Sequence, residues 1–131
     1  MKVAAGQFAV RREWQESAEI CIGLMHGAVG ERVSLLVLPE AVLARDNDNP
    51  DWGVRSAQPL DGPFVNQLLS ASQQNTLTTI LTLHVPDGEG RVFNTLIAIR
   101  RGEIIACYNK LHLYDAFAMQ ESRNVSAGDE L

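Results

Sequence analysis

Only two lysines, Lys2 and Lys110, stand among eleven basic side chains, and the nine arginines are scattered along the chain. Without a basic cluster there is no electrostatic footprint for nucleic acid, so no nucleic-acid partner is expected. Cysteine is equally scarce. Cys21 and Cys107 make no disulfide framework, which fits a cytoplasmic protein with reduced thiols. No apolar run nears the ~20 residues that cross a bilayer. The opening MKVAAGQFAV carries one lysine and no long apolar core before it meets RRE, so neither a membrane span nor a secretory signal is expected. Neither GxGxxG nor GxxxxGK occurs, which places a nucleotide-binding α/β module last among the candidate functions. His26, His84 and His112 show no metal-ligand spacing such as HxxxH. The stretch DNDNPD, residues 46–51, lacks the sixth-position Gly and twelfth-position Glu of a calcium loop. A solvated turn region is expected there instead.

What is present describes an ordinary globular chain. Its 131 residues are 46% hydrophobic and 21% charged, with a net charge of −5. That length suffices for one compact domain with a core, and the mild acidity favours solubility. KVAAGQFAV, residues 2–10, reads as a first strand. Trp14, Ala18, Cys21, Met25 and Ala28 recur at helical spacing and predict a helix over 14–29, with Gly30 as its stop. VSLLVLP, residues 33–39, has the near-continuous apolar character of a parallel strand covered on both faces. Residues 44–63, rich in Asp, Asn, Pro and Gly, read as one long loop. Asp61 and Pro63 suggest a cap and first position for a helix over 64–75 that carries Val65, Leu68, Leu69 and Ser72 on one side. Strands over 77–85, 91–99 and 104–110 follow, joined by the turns PDGEG and RRGE. The order β-α-β-α-β-β-β predicts an α/β fold, a mixed sheet with helices on it.

Two residues in this scheme can carry chemistry. Glu40 ends the run VSLLVLPE, at the carboxyl end of a strand where ligands gather in parallel α/β sheets. Apolar neighbours Leu38, Ala41, Val42 and Leu43 would desolvate it and raise its pKa, which suits a general base. Taken alone, the residue is equally well explained as an acid meeting solvent at a strand end. Lys110 ends the last hairpin strand, where an ammonium can stabilise an oxyanion. Taken alone, it is better explained as an exposed strand-end lysine.

Together, LLVLPE ending at Glu40, YNKLHLYD around Lys110 and the intervening VFNTLIAIRRGEIIACYNK resemble the nitrilase superfamily of carbon–nitrogen hydrolases, and KVAAGQF resembles its first strand. The resemblance covers the whole chain. It implies the N-terminal half of a four-layer α-β-β-α sandwich, with helices on one face of the sheet. It also implies a Glu-Lys-Cys mechanism that splits small linear amides into acid and ammonia through a thioester, without metal or organic cofactor. On this resemblance Glu40 is the general base and Lys110 the oxyanion stabiliser. Glu121, in MQESRNVSAG, is an additional glutamate that positions the substrate. His112 supports the lysine loop. KLHLYDAFAMQES looks most like the branch acting on ω-amides such as deaminated glutathione. Full-length members are expected to form homodimers.

The chain departs from the family at the nucleophile. No cysteine occurs between Leu111 and Leu131. Cys21 lies on the predicted buried stripe of the first helix. Cys107 follows IIA, which reads as interior packing, and its odd separation from Lys110 places the two on opposite faces of a strand. The expectation is therefore an incomplete hydrolase domain over 1–131, from a fragment or an interrupted reading frame. The alternatives are a catalytically inactive truncated product and a non-catalytic α/β module.

Overall fold

The computed structural model describes residues 1–109 and the short strand at 125–126. Its elements are β1 (Val3–Ala5), α1 (Trp14–Gly30), β2 (Leu35–Val37), α2 (Trp52–Arg55), α3 (Pro63–Ser72), β3 (Thr78–Pro86), β4 (Val92–Arg100), β5 (Glu103–Asn109) and β6 (Val125–Ser126). The sheet runs β1-β2-β3-β4-β5, with β6 beside the start of β4. β1, β2 and β3 are parallel, whereas β3, β4 and β5 form an antiparallel meander. The predicted mixed sheet is therefore present. β1 is shorter than expected, and the loop over 44–63 contains the four-residue helix α2.

Alternation along β3 and β4 sorts the sheet into two faces. Leu81, Leu83, Ile97 and Ile99 are buried together with Leu36 and Leu38 against α1 and α3. α1 contributes Ala18, Cys21, Met25 and Ala28, the stripe read from the sequence, and α3 contributes Phe64, Val65 and Leu68. The two helices pack on each other and on this one face. Phe64, Met25 and Leu68 are among the largest fully buried side chains, and burying each contributes roughly 1.5–3 kcal/mol. Gly6 keeps β1 close to this layer. A Cβ there would lie 3.0 Å from Leu24 Cδ1 and 3.2 Å from Leu38 Cδ2.

The opposite face carries Leu35, Val37, Ile80, Thr82, Leu96, Ala98 and Tyr108, as the register and alternation require. Val37 and Tyr108 are each 38% exposed. Among the described residues no helix is long and apolar enough to cross a membrane.

Both helix ends differ from the sequence reading in an instructive way. Gly30 remains helical, and the left-handed residue that closes α1 is Arg32, at φ 60°. Val33 N–H donates to Ala28 O at 2.9 Å and Arg32 N–H to Val29 O at 3.0 Å, the bond pair of a Schellman ending. At α3, Asp61 is not the cap. Gly62 occupies that position and has no side chain to offer. Gln58, back in the loop, supplies the missing acceptor, taking the Phe64 N–H at 2.9 Å.

Candidate active site

Glu40 lies just beyond β2, and the hydrogen bonds to β3 show how the chain presents it. Leu38 N–H donates to Ile80 O at 2.9 Å. In uninterrupted parallel pairing the next donor, to Thr82 O, is two residues on, at position 40. The observed donor to Thr82 O is Val42, at 3.1 Å. Two extra residues are thus accommodated in a bulge, a device that re-aims side chains at strand ends and beside active sites. Glu40 and Ala41 form its turn.

The bulge decides which way the acid points. Simple alternation aims residue 40 to the same side as Leu36 and Leu38, into the helices. Instead its carboxylate Oε2 accepts from Thr82 Oγ1 at 3.4 Å, and Thr82 belongs to the opposite face. The turn needs a left-handed residue, and Ala41 adopts φ 49°. An alanine held there costs roughly 1–3 kcal/mol. The Thr82 hydroxyl offsets part of that by accepting the Ala41 N–H at 2.8 Å, a bond worth about 1 kcal/mol.

Leu38, Val42 and Leu43 are buried as expected, but Glu40 itself is exposed. The expected desolvation of the carboxylate is not supplied by the described residues, because the bulge lifts it away from the apolar side chains on either side.

The loop after Glu40 is pinned rather than loose. Arg45 N–H donates to Arg11 O at 2.8 Å. The Arg12 guanidinium pairs with Asp46 Oδ2 at 2.9 Å and lies 3.8 Å over the Trp52 ring, while Trp52 Nε1 donates to Arg12 O at 2.7 Å. The Asn49 amide, the Asp48 N–H and the Arg12 guanidinium together hold the Asp46 carboxyl below its usual range. The acidic stretch is thus a turn, as expected, but its Asp46 carboxylate takes protein donors where the sequence reading expected a solvated loop. Among the described residues no group of His, Cys, Asp and Glu is placed to hold a metal ion. Over α2, a Cβ at Gly53 would lie 3.5 Å from His84 Nδ1, so the short helix rests on that end of β3.

Lys110, Glu121 and His112 lie outside the described residues. The last described residue before Lys110 is Asn109 at the end of β5, whose Oδ1 accepts from the buried Thr95 hydroxyl at 2.8 Å. Cys21 is buried, and burial pushes its thiol up to about 12. Cys107 corrects the sequence reading: it is exposed rather than interior. It pairs with Ile97, on the helix side, but β5 ends the five-strand path and Ile104 is its residue packed on the core. An apolar run on such a strand is no guide to burial. Thr82 was not singled out from sequence. Its role arises from the bulge, and no motif announces one.

The comparisons agree with this architecture. The carbon–nitrogen hydrolase family profile matches residues 2–130. Over all 131 residues the chain is 56% identical to a deaminated glutathione amidase of Escherichia coli O157:H7, of which it covers 50%. It is 41% identical over 102 residues to a hydrolase of Mycobacterium tuberculosis, covering 73% of this chain and 34% of the relative. The chain thus spans about half the length of these relatives or less. An amidase structure from Nesterenkonia sp. superposes with a TM-score of 0.82 at 19% identity, over 99% of this chain and 49% of the other. A superfamily protein from Xanthomonas campestris gives 0.76 at 23% identity, over 95% and 44%. These two likenesses concern the fold. With the profile spanning nearly every residue, the chain belongs to the carbon–nitrogen hydrolase family.

Proposed function

We propose that these 131 residues form the N-terminal half of an amidase domain that hydrolyses small linear ω-amides of the deaminated glutathione type. Glu40 serves as general base and Lys110 stabilises the oxyanion, with Glu121 positioning the substrate. The nucleophilic cysteine belongs to a part of the whole protein outside these residues. In this mechanism Glu40 takes the thiol proton as sulfur bonds to the amide carbon. The C–N bond then breaks, the proton returns to the leaving nitrogen, and ammonia departs. Water, deprotonated by Glu40, attacks the thioester carbon, the C–S bond breaks to free the acid, and the proton on Glu40 passes to the leaving sulfur. The complete protein would act as a homodimer on a small-molecule amide, in the cytoplasm.

One observation carries this reading. In a chain 56% identical throughout to a deaminated glutathione amidase, Glu40 stands on a strained bulge at the carboxyl end of β2. Strain of that kind clusters at functional sites.

The test joins this chain to the second half of the Escherichia coli relative and offers an ω-amide. Ammonia release is expected, and Glu40→Gln is expected to lower kcat by about 10²–10⁴-fold. Unchanged turnover in that variant removes Glu40 from the chemistry. A second reading has its own support, because no cysteine follows Lys110 in the 131 residues. The chain by itself is accordingly expected to release no ammonia.

A further inference from the structure

Building on the reading of Glu40 as the base, we propose that Thr82 is its positioning residue, holding the bulge that presents the acid. Thr82 is 6% exposed and contacts three consecutive residues of the turn. Its hydroxyl receives the Ala41 N–H at 2.8 Å and donates to Glu40 Oε2 at 3.4 Å. Its carbonyl receives the Val42 N–H at 3.1 Å. A hydroxyl has one proton to give and lone pairs to receive with, so one oxygen serves both the strained amide and the carboxylate. The two contacts differ in strength. At 3.4 Å the carboxylate contact is long for an O–H···O bond and orients the acid loosely. The bond to Ala41 is short, and it fixes the left-handed turn from which Glu40 projects. Thr82 thus acts through Glu40 and need not touch the substrate.

The flanking ladder isolates this role. Leu38 and Val42 use backbone acceptors on β3, whereas the Ala41 amide uses the Thr82 side chain. Valine has the shape of threonine without the hydroxyl, and serine keeps the hydroxyl without the methyl. Amide hydrogen exchange of the 131-residue chain therefore tests the grip. In Thr82→Val the Ala41 amide is expected to exchange about 10-fold faster relative to those of Leu38 and Val42, while Thr82→Ser keeps it near the wild-type rate. An Ala41 amide that is unchanged in Thr82→Val overturns the proposal. So does equal acceleration of all three amides, which marks Thr82 as a core residue only.

The catalytic consequence is read in the same joined protein used for Glu40→Gln. Thr82→Val is expected to lower kcat about 10- to 100-fold with KM nearly unchanged, and Thr82→Ser to recover most of it. A valine variant with full kcat sinks the positioning role even if the exchange result stands. A fully active Glu40→Gln sinks the general-base reading instead, and the exchange data then still judge the grip on the turn.

Discussion

At the scale of single residues, the two cysteines make the plainest contrast. The thiolate is the reactive form, and burial holds the Cys21 thiol up at about 12, against an ordinary value of 9.0. Cys107 is exposed. A thiol reagent at pH 8 is therefore expected to label Cys107 in the native chain and to reach Cys21 only on unfolding, read by mass spectrometry. Early labelling of Cys21 would contradict the packing of α1. Asp46 gives a pH dependence of definite sign. Its carboxyl lies below the usual range, so its clamp on the loop is intact above the unfolded-state value near 4 and is lost as pH falls through the lower folded value. With Arg12 stacked 3.8 Å from Trp52, the fluorescence of Trp52 in a Trp14→Phe background is expected to change in that acid window. An Asp46→Asn variant is expected to lack the transition. Of these residues Cys21 was legible in the sequence, because helical spacing is a local signal. The exposure of Cys107 was not, because it depends on how far the helices extend over a strand.

Among the elements, the end of α3 shows where local signals stop. Pro63 marked the first turn correctly, but the acceptor came from Gln58, five residues upstream of it. A cap supplied across a loop has no fixed spacing to search for. Gln58→Ala is expected to cost about 1 kcal/mol of stability, whereas Asp61→Ala, which removes no side-chain cap, is expected to cost less. Equal losses in denaturant titration would return the cap to Asp61. The same reasoning separates what was readable at β2 from what was not. Its apolar run located the strand and the acid beyond it, although β2 spans only Leu35–Val37 of the 33–39 expected. The alternation rule then gives the wrong side for Glu40, because two additional residues before the next ladder bond, Val42 to Thr82, rotate the side chain across the sheet. That count depends on the partner strand, 40 residues away in sequence.

For the molecule as a whole, the order of the main elements and the helix-covered face followed from periodicity, since apolar stripes on α1, α3, β3 and β4 need each other to leave water, whereas the second cover expected for β2 is not supplied by the described residues. The other face bears Val3, 56% exposed, with Val37 and Tyr108 at 38% each. Exposed apolar patches and open edge strands favour association. The 131-residue chain by itself is expected to self-associate with rising concentration in sedimentation velocity, and Val37→Lys with Tyr108→Lys to reduce it. A monomer unaffected by concentration would show that this face is satisfied as it stands. The bulge has a last consequence. Removing Glu40 and Ala41 together would bring Val42 into step with Thr82 as the next regular rung, mending the ladder while erasing the acid. Sturdiness alone would favour the shorter chain, which is therefore expected to melt no lower than the parent in a thermal scan.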